Sequence, residues 1–162
     1  MKPIVVISFV LAALAPMSAQ SATGMAAMQY YVGSWSCTGG MTGDPTHATS
    51  TYTMDNGILR QFVSVAPTAK MKHPYYIVFA VSYDATHQRY LQTTLDGLGG
   101  WSVSNAKAFT GNTEHWTDTA SDSGKLGWGE AVRVNQNTST YTGYPSMSSK
   151  TANFKVTCTR NS

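Results

Sequence analysis

The sequence predicts an all-β fold built from antiparallel strands. Beyond residue 32 the chain is a series of short runs rich in Thr, Val, Tyr and Trp, and clusters of Gly, Asn and Asp separate these runs. This pattern is typical of antiparallel sandwiches and barrels. The βαβ spacing of a doubly wound sheet is absent. The 162 residues contain no internal repeat and no linker, which indicates one domain.

The composition excludes several classes of protein. Hydrophobic residues make up 42% of the chain and charged residues only 12%, against roughly 25% charged residues in an average domain. The aromatic content is high enough for a packed core, so disorder is excluded. The net charge of +3 is dispersed, and this does not indicate a nucleic-acid surface or an anionic membrane surface.

The first residues have the pattern of a secretory signal peptide. Lys2 precedes an apolar run from Ile4 to Ala15, and small residues follow at 18–22. The run is shorter than the ~20 residues of a membrane-spanning helix. We therefore expect a cleaved signal at 1–22, a single β-barrel domain at 23–162, and a periplasmic or secreted protein.

The two cysteines predict a disulfide. Cys37 and Cys158 are the only cysteines, one near each end of the mature chain, and an exported protein with an even cysteine count favours a bridge. Two buried thiols are the alternative. A zinc site needs about four ligands, and no His or Cys lies nearby in the sequence to complete one, so we expect no metal.

The elements follow in order along the chain. Residues 25–32 contain no Gly or Pro and predict a short N-terminal helix. The Asp55-Asn56-Gly57 sequence predicts a hairpin, because Asn-Gly tolerates the positive φ of a type I′ turn. Strands are predicted at 33–39, 46–54, 58–65, 75–83, 88–95, 101–106, 107–110, 113–118, 126–134, 138–144 and 150–160, with some of them merging.

The first and last strands are predicted to pair. If Cys37 lies opposite Cys158 in an antiparallel pair, Trp35 lies opposite Arg160, because the residue numbers of opposite residues in such a pair always have the same sum. Pairing of these two strands closes a barrel. Arg160 would then place its guanidinium near the face of Trp35, a cation–π contact with a structural role.

Short motifs resemble known barrels. The Gly33-Ser34-Trp35-Ser36-Cys37 segment resembles the opening strand of calycin-like barrels, the lipocalins and fatty-acid-binding proteins, and Arg160 matches their closing partner. The chain is also similar to exported bacterial proteins of unknown function related to the nitrobindin-like barrels, through residues 83–90, 96–101 and 109–112. The resemblance implies a closed antiparallel barrel of about eight to ten strands with an interior cavity. It implies no activity.

Haem binding is an alternative that the same resemblance raises. Nitrobindin-like barrels bind haem through a histidine late in the chain, but no histidine follows His115 here. His115 is the remaining candidate ligand, and its strand neighbours Glu114 and Asp118 are expected on the opposite face. We therefore expect no cofactor.

Catalysis has little support in the sequence. The Gly-x-Ser-x-Gly elbow of hydrolases is absent. A glycosidase needs two carboxylates that face one cleft, and most aspartates here fall in predicted turns, where Asp is common. No catalytic residue is assigned, and the sequence favours a protein that is not an enzyme. Glu130 and His115 are the candidates for an acid or base if it is one.

Five residues form the predicted ligand site. Arg60 shares a face with apolar Ile58 and Phe62, and Glu130 shares one with Trp128. A charged side chain on an apolar face must be paired with an opposite charge, be solvated or bind a ligand. Arg60 and Glu130 therefore either form an internal ion pair or anchor a ligand. With the aromatic residues that would line the same space, the predicted site is Arg60, Tyr90, Trp101, Trp128 and Glu130.

These observations lead to one function and several alternatives. We expect a monomeric, exported barrel that binds a small apolar or amphipathic molecule. A filled barrel that serves as a structural or interaction module of the cell envelope is the main alternative. This alternative would be favoured by an exposed patch of four tyrosines: Tyr30, Tyr31, Tyr75 and Tyr76. A haem-binding or hydrolytic barrel is the third possibility.

Overall fold

A computed structural model describes residues 24–162. The predicted signal peptide at 1–22 and its boundary with the barrel domain lie outside the described residues.

The described chain is a closed antiparallel barrel of ten strands with one short 3₁₀ helix, Gly24–Tyr31, before it. Each strand pairs with its neighbours in sequence, and β1 also pairs with β10. This confirms the all-β prediction, the closure and the short N-terminal helix. The strands are β1 Gly33–Met41, β2 Asp44–Asp55, β3 Ile58–Val65, β4 Tyr75–Asp84, β5 Arg89–Asp96, β6 Trp101–Lys107, β7 Thr113–Ser121, β8 Trp128–Asn135, β9 Thr138–Tyr144 and β10 Phe154–Arg160.

The strand predicted at 107–110 is wrong. Lys107 is the last residue of β6, and the following segment forms a tight turn closed by a single bridge between Thr110 and Thr113. Gly111 has a φ of +62° in this turn. A left-handed conformation suits a glycine in a turn and interrupts a strand.

The register between β1 and β10 is the predicted one. Cys37 lies opposite Cys158, and Trp35 lies opposite Arg160. The two cysteines form a disulfide that joins the first strand to the last. Trp35 and Cys37 are 1% and 5% exposed, so this face of β1 points into the barrel.

The Asp55-Asn56-Gly57 hairpin also forms as predicted. Asn56 has a φ of +48° and Gly57 a φ of +76°, and Asp55 pairs with Ile58 on either side of the turn. Two positive φ values are the signature of a type I′ turn, whose twist matches that of the strands it joins.

The N-terminal helix closes one end of the barrel. Met28 and Tyr31 pack in the core with Tyr90 and Trp116, and the Tyr90 hydroxyl donates a hydrogen bond of 2.8 Å to the carbonyl oxygen of Gly24. The turn of Asp55-Asn56-Gly57 lies at this closed end, and the β1–β2 and β9–β10 connections lie at the opposite, open end. The space that remains in the barrel therefore lies between the helix and the open end.

Candidate functional site

A cavity of about 260 Å³ occupies the barrel interior above the helix. Its wall is mainly apolar, and a few polar side chains interrupt it, which is the usual character of a small-molecule pocket. The apolar part includes Val63, Val65, Ile77, Phe79, Val81, Phe154 and Val156. The polar part includes Thr46, Ser50, Gln61, Gln92, Ser139 and Glu114.

Small residues in the cavity wall keep this part of the barrel hollow. Gly39, Gly40, Ala48 and Ala131 line the cavity. Gly39 has a φ of +126°, and a Cβ there would overlap the backbone oxygen of Lys155. This position therefore excludes a larger side chain both by its backbone conformation and by the closeness of β10.

The cavity wall contains a buried carboxyl group, Glu114 on β7. Glu114 is 2% exposed and lies among the aromatic residues that pack on the helix. Its Oε2 accepts hydrogen bonds from the Trp116 indole N–H at 3.3 Å and from the Tyr31 hydroxyl at 3.4 Å. Its Oε1 is buried and has no hydrogen-bond partner in the described structure.

Arg133 on β8 lies beside this carboxylate. Its Nη2 is 3.8 Å from Glu114 Oε1, and the same Nη2 donates a hydrogen bond of 2.7 Å to the carbonyl oxygen of Ala27. The guanidinium carbon lies 3.4 Å from the centroid of the Phe109 ring. Arg133 thus holds the helix against the barrel and compensates the charge of Glu114 without hydrogen-bonding to it.

Burial raises the pKa of Glu114 from its usual 4.5 to about 7. The positive charge of Arg133 and the hydrogen bonds from Trp116 and Tyr31 oppose this shift, but they do not replace the hydration that the carboxylate loses. Near pH 7 both the protonated and the ionised form of this group are therefore populated, as is common for perturbed carboxyl groups in functional sites.

None of the five residues predicted as a ligand site lines the cavity. Arg60 lies on the outer face of β3 and pairs with Asp55 at 3.3 Å. Trp101 is exposed on the outer face of β6. Tyr90 does point inward, but it belongs to the packed core at the closed end.

The other two predicted residues also lie outside. Trp128 stacks on Tyr144, with ring centroids 3.8 Å apart, and Glu130 lies 3.2 Å from the His115 ring nitrogen. The internal ion pair of Arg60 with Glu130, one of the two alternatives, does not form, because Arg60 pairs with Asp55 and Glu130 with His115.

The prediction reversed the two faces of β8. The larger side chains of this strand were expected to point inward, yet the inward positions are Gly129 and Ala131. The physical reason is the neighbouring strand: a Cβ at Gly129 would overlap the hydroxyl of Tyr141. The Tyr141 ring fills the space that a larger side chain at position 129 would need, and Trp128 and Glu130 lie on the outer face.

The histidines do not reach the cavity either. His47, His73, His87 and His115 are exposed, and none of them lines the cavity. The wall thus offers a haem iron no axial histidine. Within residues 24–162 there is no group of three or more His, Cys, Asp or Glu side chains placed to hold a metal ion.

The exposed tyrosine patch that would favour a structural or interaction module is not present among the described residues. Tyr31 is buried at the closed end, whereas Tyr75 lines the cavity near the open end. Of the four tyrosines, Tyr76 is the one that is clearly exposed, and it stacks on Phe62 with centroids 5.4 Å apart.

Sequence reasoning missed Glu114 and Arg133 as site residues. The available signal was the Glu114-x-Trp116 spacing, which places a carboxylate on the same strand face as a tryptophan. For Arg133 the signal was its position on the face of Gly129 and Ala131, which the structure shows to be the inner one.

The comparisons with known proteins give no family for this chain. No known family description matches the sequence, and no curated protein is significantly similar to it. No helix of the described part is both long enough and apolar enough to cross a membrane.

Proposed function

We propose that this protein is an exported barrel of the calycin-like type that binds a small, partly apolar molecule in its cavity. The observation that carries the proposal is the hollow open half of the barrel, with an apolar wall and a buried carboxyl group at its base. An enclosed apolar surface of this kind favours an apolar ligand, because binding removes both surfaces from water.

The size of the barrel supports a ligand over a filled interior. Side chains alone can fill a barrel of about eight strands, and the diameter grows with each further strand. The ten strands here leave a cavity of about 260 Å³. Pockets for drug-sized ligands have volumes of roughly 300–1,000 Å³, so the proposed ligand is smaller than these.

Export and the calycin-like assignment rest on separate support. The disulfide is compatible with an oxidising compartment, and the sequence of the first residues has the signal-peptide pattern. The Gly33-x-Trp35 opening of β1 and the contact of Arg160 with Trp35 support the calycin-like assignment.

The direct test is native mass spectrometry of the protein purified from the extracytoplasmic fraction of its host, together with an absorbance spectrum. We expect a stoichiometric added mass that disappears in Ala48→Phe, because Ala48 lines the cavity and a phenyl ring would fill it. The matched control is Thr49→Phe, the next residue, which is exposed on the outer face.

Two results would contradict the proposal. An added mass that Ala48→Phe retains would place the bound molecule outside the cavity. A bare polypeptide mass, with no small apolar probe retained after incubation, would favour the structural or interaction module. A Soret band in the spectrum would identify haem and overturn our assignment of a cofactor-free barrel.

A further inference from the structure

Glu114 is the only carboxyl group of the cavity wall among the described residues. Its neighbours satisfy one of its two oxygens. Tyr31 and Trp116 donate to Oε2, whereas Arg133, at 3.8 Å, is too far for a hydrogen bond to Oε1. The phenols of Tyr52 and Tyr90 are the other titratable groups within its electrostatic range.

An unpartnered buried acceptor has a free-energy cost, since it has lost its hydrogen bonds to water. A donor on a bound ligand would remove that cost. The same site disfavours a ligand with its own charge, because Arg133 already offsets the charge of Glu114, and a third buried charge would have no counterion.

We propose that the cavity takes a neutral molecule with an apolar body and one hydroxyl or N–H donor, and that this donor binds Oε1 of Glu114. This inference rests on the proposed function and specifies its ligand class. A hydrogen bond to an ionised acceptor is stronger than one to a neutral acceptor. Because the pKa of Glu114 is about 7, affinity for the donor should increase between pH 5.5 and pH 8.5.

The test compares two isomers by titration calorimetry. 1-Octanol and 1-methoxyheptane have the same atoms and similar apolar bodies, but only the alcohol donates a hydrogen bond. We expect the wild-type protein to bind the alcohol about tenfold more tightly at pH 8.5, and this preference to shrink at pH 5.5. Octanoate and octylamine should bind more weakly than the alcohol.

Two variants test the assignment to Glu114. In Glu114→Gln the amide oxygen serves Trp116 and Tyr31 and the amide N–H₂ faces the ligand, so the preference for the alcohol over the ether should disappear. His115→Gln is the matched control, because His115 is the adjacent residue and is exposed on the outer face. This control should keep the wild-type preference.

The outcomes separate this inference from the proposed function. Equal binding of the two isomers by the wild-type protein, or tighter binding of octanoate, would overturn the inference and leave cavity binding intact. Failure of all four probes to bind would count against the cavity as a binding site and therefore against both proposals.

Discussion

The guanidinium carbon of Arg160 lies 4.3 Å from the ring centroid of Trp35, at the point where the last strand of the barrel meets the first. Arg160 also donates hydrogen bonds to the carbonyl oxygens of Val32, at 2.6 Å, and of Tyr30. One side chain therefore links β10, β1 and the end of the helix, and it stabilises the closed end through both charge and hydrogen bonds.

Replacing Arg160 by methionine should strongly destabilise the protein. Arg160→Met leaves the carbonyl oxygens of Tyr30 and Val32 without their donor and removes the contact with Trp35, so we expect the free energy of unfolding to fall by about 2–4 kcal/mol. Urea denaturation measures this change. Arg60→Met is the control. Arg60 forms an exposed ion pair with Asp55, so this substitution should lower the free energy of unfolding by less than about 1 kcal/mol. Equal losses would contradict the role of Arg160.

The disulfide should contribute strongly to stability. The two cysteines are 121 residues apart in the chain, and closing so long a loop restricts the unfolded state by nearly 5 kcal/mol in the chain-entropy model, with about 2–5 kcal/mol typical of native bridges. Cys37→Ala/Cys158→Ala should therefore lose stability in this range in urea denaturation. Intact mass should show the protein two hydrogens lighter than the dithiol, and two alkylatable thiols in the native protein would contradict the bridge.

The helix that closes the barrel depends on Met28. Met28 is 1% exposed, whereas Met147, in the β9–β10 loop, is 55% exposed. Met28→Ala leaves a cavity beneath the helix and should cost about 2–5 kcal/mol. Met147→Ala should change the free energy of unfolding by less than about 0.5 kcal/mol. A small effect at Met28 would mean that the helix is not an integral part of the core.

Glu114 should make the protein less stable as the pH rises. Its pKa is about 7 in the folded protein, above the usual 4.5, so the folded state binds the proton more tightly than the unfolded state does. The stabilising effect of this proton is complete below pH 4.5 and is lost as the pH rises to about 7. The loss between pH 5 and pH 8 should be about 2–3 kcal/mol.

Glu114→Gln tests this pH dependence, because an amide does not titrate in this range. Urea denaturation at pH 5 and pH 8 should show a smaller difference for the variant than for the wild-type protein. His115→Gln, a change at the adjacent residue on the outer face, is measured alongside as the control. If Glu114→Gln and the wild-type protein lose the same stability between the two pH values, the raised pKa of Glu114 is wrong.

The architecture could be predicted from the sequence because local signals determine it. The Asn56-Gly57 pair predicted a hairpin through its backbone preference. The constant sum of residue numbers in an antiparallel pair, applied to Cys37–Cys158 and Trp35–Arg160, predicted the register between β1 and β10. These inferences need only the alternation of a strand and the chemistry of a few residues.

The site could not be predicted in the same way, because it depends on which face of each strand is inside. Arg60 and Glu130 shared faces with large apolar residues, and those faces turned out to be external. The size of an inward residue is set by its neighbour on the next strand, as the Tyr141 ring sets it for Gly129. That neighbour is known only once the register of the two strands is known.

The closed strand order has a consequence for cleavage of the chain. Each strand is held by two neighbours, and the bond between Cys37 and Cys158 makes the chain a covalent ring from residue 37 to residue 158. A protease that cuts one loop within this ring produces two fragments that stay covalently attached. Such a nicked molecule has new termini at the cut, while β1 and β10 stay paired and bonded through the disulfide. In denaturing electrophoresis it would migrate as a single species until the disulfide is reduced.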